Sequence, residues 1–120
     1  MSHVVTIKAE LRDPAAAVSA CRRLQLNDPV HGTAKLYSGA ATGLLVHLPG
    51  WEYPVVIDTN SGTIHYDNFE GNWGDQRVLD RFLQSYVVEK ARLEARKRGY
   101  QVHEQTLSDG SIQLQIVEAH

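Results

Sequence analysis

The stretch from Asp75 to Gly99, DQRVLDRFLQSYVVEKARLEARKRG, constrains the fold most, because it reads as one long helix with both ends marked. Asp75 supplies an N-cap after Gly74. Arg96, Lys97 and Arg98 put positive charge at the carboxyl end of the dipole, and Gly99 suits the left-handed position just beyond it. At 1.5 Å per residue such a helix runs roughly 34 Å, enough to cross the whole face of a small sheet. On a helical wheel Leu79, Phe82, Leu83, Tyr86 and Leu93 share one side and form the stripe expected to be buried. Lys90 falls in the middle of that stripe, so its stem packs while the ammonium reaches past a sheet edge, or it is paired with an acid.

Upstream, His3 to Leu11 alternates, with Val5, Ile7, Ala9 and Leu11 on one face, which predicts a half-buried strand. Asp13-Pro14 then provides an N-cap followed by proline at the first helical position. Ala17, Val18, Cys21 and Leu24 recur at three- and four-residue spacing, which predicts a short amphipathic helix. Between Thr33 and Asp67 the segments TAKLYS, TGLLVHLPG, YPVVID and GTIHYD are separated by Ser38-Gly39, Pro49-Gly50 and Thr59-Asn60-Ser61-Gly62, so a four-stranded meander is the simplest reading. Val55, Val56 and Ile57 are apolar without alternation, which places that strand centrally, covered on both faces. The segment NFEGNWG, residues 68–74, reads as a loop carrying two aromatics into the long helix.

At the carboxyl end, YQVHEQTL and SIQLQIV flank Ser108-Asp109-Gly110 and must share a face as antiparallel partners. A two-residue turn would put Val102 opposite in facing to Ile112, Leu114 and Ile116. A three-residue loop with Gly110 left-handed pairs Thr106 with Ile112, Glu104 with Leu114 and Val102 with Ile116, gathering the apolar residues on one side. That register puts Glu104 on the apolar face, where a carboxylate needs a partner, and Lys90 on the covering helix is the expected one. The other face carries Gln101, His103, Gln105, Gln113 and Gln115, an uncharged surface that is either simply solvated or meets a second copy or another protein.

At 120 residues the chain is expected to form a single domain, 1–120, with one core and no linker. A net charge of −2 favours no polyanionic partner, and basic residues are not interleaved with exposed aromatics, so nucleic-acid binding is not expected. The amino-terminal MSHVVTIKAELRD has no basic segment followed by an apolar one, and no run is long enough to span a membrane, so a cytoplasmic location is expected. The single cysteine, Cys21, sits on an apolar stripe and reads as a buried inert thiol. His3, His31, His47, His65, His103 and His120 show no metal-binding spacing, and neither a phosphate loop nor a nucleophile elbow occurs, so no metal or cofactor is expected. What remains is a central cluster of Tyr37, His47, Trp51, Tyr53, His65, Tyr66, Phe69 and Trp73. Of these, His47, Trp51, Tyr53, His65 and Trp73 are the candidates to line a small-molecule pocket, with Asp58 or Asp67 as its polar contact.

The opening MSH and TIKAELRD, the series Leu83, Gln84, Tyr86, Gly99, Tyr100 and Glu104, and Asp109-Gly110-Ser111-Ile112 with Leu114 carry a resemblance. The chain resembles the family named for a hypothetical chloroplast open reading frame, number thirty-five, shared by algal plastids, cyanobacteria and other bacteria. The resemblance covers roughly half of the chain and leaves out the central YPVVIDTNSGTIHYDNFEGNWGD. That family is a domain of unknown function, so the resemblance implies no mechanism; it implies an accessory role beside an AAA-type ATPase.

The expected architecture is α+β, an antiparallel sheet of about seven strands in the order β-α-β-β-β-β-α-β-β with the long helix packed across it. The leading functional expectation is a small accessory protein acting through protein contacts, as a homodimer formed through a sheet edge or the glutamine face. One alternative is a small-molecule-binding module built on the aromatic loops. The other is a small enzyme using Tyr86, Lys90 and Glu104 as acid–base groups.

Overall fold

Asp75 and Gly99 bound the long helix as the sequence marks it. In the computed structural model, which describes residues 4–8, 10–37 and 39–118, helix α2 spans Gln76–Lys97. The Asp75 carboxylate accepts the Arg77 N–H at 2.9 Å, and Gly99 takes φ +76°. Helix α1, Pro14–Arg23, is capped by Asp13, which accepts the N–H groups of Ala15 and Ala16. His3, Ala9, Ser38 and His120 lie outside the described residues.

The strands are β1 (Val4–Lys8), β2 (Val30–Leu36), β3 (Gly39–Val46), β4 (Val55–Asp58), β5 (Thr63–Asp67), β6 (Tyr100–Thr106) and β7 (Ile112–Glu118). The first five form one antiparallel sheet in the order β1-β5-β4-β3-β2. Its middle strand is β4, so the unbroken apolar run Val55-Val56-Ile57 is buried on both faces as expected. Both helices cover one face. There Ala17, Ala20 and Cys21 of α1 and Leu79, Phe82 and Tyr86 of α2 close over Val46, Val55, Ile57, Ile64 and Tyr66. Burial of the Cys21 thiol, with the charge of Asp28 nearby, raises its pKa to about 11, so it is an inert core group.

The expectation of a single sheet needs correction. Strands β6 and β7 pair only with each other, in the register Thr106↔Ile112, Glu104↔Leu114 and Val102↔Ile116, with Gly110 at φ +88° in the loop. They lie along α2, where the Gln84 side-chain amide donates to the Gly110 carbonyl oxygen and Tyr100 and Ile116 lie beside Ala91 and Ala95. The helix therefore buries two sides. Opposite the Phe82 stripe, a second stripe of Val88 and Ala95 is buried as well. Its small side chains let the hairpin lie close, and their low hydrophobicity hides the stripe from a wheel.

The β2–β3 hairpin departs from the rest of the sheet. Pairing of β3 with β4 stops at Leu44, and the next pair along the hairpin is Gly32↔Gly43. Gly43 sits so close to β4 that a side chain there would overlap the Ile57 carbonyl. Beyond this pair the hairpin turns back, and Tyr37 at its tip meets Trp73, which follows β5, with ring centroids 5.0 Å apart. Ala34 and Leu36 of this hairpin are buried, and so is Val56 on the sheet face that the helices do not cover.

Candidate functional site

Two places could carry function, and the first is that second sheet face beneath the turned-back hairpin. Along β5 the residues alternate: Ile64 and Tyr66 enter the helical core, so Thr63, His65 and Asp67 point the other way. The Thr63 hydroxyl lies 2.6 Å from the Ser61 hydroxyl and 3.4 Å from His65 Nε2. Across the strand pair, the Asp58 carboxylate accepts the Asn60 N–H at 3.0 Å. That bond, the Ser61 hydroxyl and the charge of His65 hold its pKa low. Asp67 is completely buried, and neither of its carboxylate oxygens has a hydrogen-bond partner among the described residues.

Three aromatic rings gather around Trp73: Phe69 at 4.6 Å, Tyr37 at 5.0 Å and Tyr53 at 5.7 Å between centroids. Phe69 and Glu70 both hold positive φ, +45° and +54°, in the short 3-10 turn Phe69–Gly71, a costly conformation for residues with side chains. Of the five pocket candidates, Tyr53 and Trp73 thus come together, and His65 lies on the adjoining strand face. Trp51 does not join them. Its ring packs edge-on against core Tyr66 at 5.8 Å and its indole N–H donates to the Asp75 carbonyl. His47 is exposed in the connection after β3.

The second place is the carboxyl-terminal hairpin. Gln101, His103, Gln105, Gln113 and Gln115 are all exposed on one face, and a concavity of about 550 Å³ is lined by His103, Gln105, Gln113 and Gln115 with Glu104 and Leu114. On the other face Glu104 has a partner, but not the expected one. Arg23 grips its carboxylate with two bonds, at 2.6 and 3.0 Å, and Arg92 adds a third at 2.7 Å. These bonds hold the Glu104 pKa below its ordinary value, against the upward pull of burial. The Lys90–Glu104 pair is overturned because the hairpin packs against the side of α2 that carries Arg92, about 200° around the helix from Lys90.

Lys90 instead faces α1. Its ammonium lies 2.9 Å from Asp13 and 3.0 Å from Glu94, and these hydrogen bonds raise its pKa. Tyr86, almost fully buried, accepts the Asp13 backbone N–H on its hydroxyl at 3.0 Å. Tyr86 and Lys90 therefore pin the N-cap of α1, while Glu104 clamps the far end of that helix, and the three do not share a cleft. Burial pulls the Asp13 carboxyl up, but hydrogen bonds from Lys90 and the Ala16 and Ala15 N–H groups hold it below its ordinary value. Asp13→Ala removes the cap and the ion pair together, and the expected cost is about 2 kcal/mol. Urea unfolding checks it; a loss below about 0.5 kcal/mol would mean that the cap contributes nothing measurable.

Among the described residues, no three His, Cys, Asp or Glu side chains gather closely enough to hold a metal ion, and no helix is long and apolar enough to cross a membrane. Comparison with known proteins adds no constraint: no family profile, curated protein or solved structure matches the chain.

Proposed function

We propose that the protein is a small accessory protein that works through protein contacts, and that its own contact is a two-fold pairing of β7 with β7 of a second copy. The observation that carries this reading is the sequence of that open edge. Residues 112–116 read Ile-Gln-Leu-Gln-Ile, the same in both directions. Antiparallel pairing about Leu114 places Ile112 opposite Ile116, Gln113 opposite Gln115 and Leu114 opposite itself, the self-complementarity that a two-fold axis demands.

Edge strands are normally guarded by charge, proline or a bulge. The two edge strands of the large sheet carry Lys8 and Lys35, whereas β7 has no charged residue before Glu118. Ile116, half exposed at 51%, gains cover in such a four-stranded sheet. The AAA-type ATPase implied by the family resemblance is the first partner to offer to the dimer.

Light scattering after size exclusion tests the pairing. The wild type is expected at twice the 13.4 kDa of one chain, and Leu114→Lys, which sets two ammonium groups face to face on the axis, at the single mass. Gln115→Glu also weakens the dimer by facing Gln113 with a charge at an uncharged edge. Gln105→Lys, on β6, leaves the mass unchanged. A monomeric wild type, or a dimer indifferent to Leu114→Lys, removes the proposal; loss through Gln105→Lys alone moves the contact to the glutamine face.

A further inference from the structure

We infer that the dimer has a second contact, which rests on the two-fold pairing of β7: the open side of α2 meets α2 of the other copy in antiparallel, with Asp80 of each helix against Arg98 of the other. Asp80, Gln84, Val87, Ala91, Glu94 and the C-cap residue Arg98 fall within about 80° of one another around the helix. They form the side of α2 between the Phe82 stripe and the hairpin, away from α1, and that side adjoins β7, since Ala91 and Ala95 lie beside Ile116. Val87 is 63% exposed on it. Charge is left over there too. The ion pairs of α2 engage Arg77, Glu89, Lys90, Arg92, Glu94 and Lys97, whereas Asp80 and Arg98 have no oppositely charged partner among the described residues. The Asp80 carboxylate accepts the Gln76 amide at 3.0 Å.

The two-fold axis through Leu114 stands perpendicular to the four-stranded sheet, so both copies of α2 lie on one face of it and run in opposite directions. Each α2 lies against both strands of its own hairpin, which separates the two helices by about two strand spacings, roughly 9–10 Å, the distance at which helices pack. The level of the axis along α2 is fixed by the hairpin. The Gln84 amide reaches Gly110 just before β7, and Ala91 and Ala95 flank Ile116 towards its end, so Leu114 is level with Glu89. A two-fold at that level sets Val87 opposite Ala91 and Asp80 opposite Arg98. Small apolar side chains then meet near the axis, where the helices must come close, and opposite charges meet at both ends. The hairpin contacts alone set the level, yet it brings the two unpaired charges together.

A charge-reversal cycle tests the contact. Dissociation constants are measured by sedimentation equilibrium for Asp80→Lys, Arg98→Glu and the two together. Both side chains are exposed, so all three variants are expected to unfold near the wild-type midpoint. Each single reversal sets like charges together at both ends of the helix pair and is expected to weaken the dimer at least about fivefold. The double reversal restores opposite charges and is expected to return to within about twofold of the wild type. Single variants that associate as tightly as the wild type overturn the helix contact, and so does a double variant no tighter than the weaker single one. Where that happens while Leu114→Lys still yields the monomer, the β7 pairing stands and only the helix contact falls. A dimer indifferent to Leu114→Lys that follows the charge cycle keeps the helix contact and loses the strand pairing. A monomeric wild type removes both.

Discussion

Gly43→Ala is expected to cost at least about 3 kcal/mol of stability, more than most single methyl additions, because the new side chain would meet main chain rather than a movable side chain. Its Cβ would overlap the Ile57 carbonyl oxygen and stand 2.8 Å from the carbonyl carbon and 3.2 Å from the Asp58 nitrogen. Relief requires β3 to move off β4, which is the central strand of the sheet. The residue directly opposite supplies the control. A Cβ on Gly32 meets only the Leu45 side chain at 3.5 Å, an ordinary contact, so Gly32→Ala is expected to change stability by less than about 1 kcal/mol. Chemical denaturation of the two variants measures the contrast, and equal costs would mean that the close approach at Gly43 does not hold the hairpin's turn. Loss of the Tyr37–Trp73 contact in Gly43→Ala would also change the surroundings of the Trp73 indole, so tryptophan fluorescence should shift together with stability.

That turn marks the boundary of what the amino-acid sequence makes legible. Helix α2 could be placed at both ends because its signals are local: Asp75 caps its own helix and Gly99 relieves its own backbone. The β6–β7 register was equally accessible, since only one loop length puts Val102, Ile112, Leu114 and Ile116 on one side. Alternation states which residues share a face, but not which element covers it. Thr63, His65 and Asp67 alternate with Ile64 and Tyr66 as a solvent-facing row would, yet Asp67 is completely buried, which alternation along β5 does not announce.

The same limit explains the misplaced partner of Glu104. A wheel drawn on α2 finds the Phe82 stripe because its residues are large. The stripe of Val88 and Ala95 is small and only weakly apolar, so a wheel points the hairpin at the Phe82 side of the helix and pairs Glu104 with Lys90, whereas Lys90 meets Asp13. The need for a partner followed correctly from the strand register; the partner's identity depends on tertiary packing. For the candidate site, the rings that assemble around Trp73 were visible as a composition of aromatics. Trp51 belongs to the core instead, because Gly74 lies so close to its indole that a Cβ there would stand 2.7 Å from Cγ.

Glu104→Lys is expected to release the carboxyl-terminal hairpin from the helices while leaving the five-stranded sheet folded. The carboxylate joins three elements, taking two bonds from Arg23 at the end of α1 and one from Arg92 on α2, and it presents them from β6. Its side chain is 23% exposed and those of its partners 28% and 26%, so solvent screens the cluster only in part. A lysine there loses three charge-assisted bonds and adds a third cation between two guanidinium groups. The cost is about 2–3 kcal/mol, limited by the free energy that docks the hairpin, since beyond that point the hairpin opens locally. Amide exchange in β6 and β7 should accelerate at least about thirtyfold, with β4 and β5 amides unchanged. Uniform acceleration through both sheets, or none in β6, would show that the cluster does not dock the hairpin. Acid provides a second measure. The folded-state pKa of Glu104 lies below its ordinary 4.5, so its contribution is present in full above about pH 4.5 and is lost as pH falls through the lower folded value. Hairpin exchange in the wild type should therefore rise on acidification before that of the core, and Glu104→Gln should remove much of that pH dependence. If the β7 pairing holds, the released hairpin in Glu104→Lys also dissociates the dimer, although the substitution lies outside the edge that pairs.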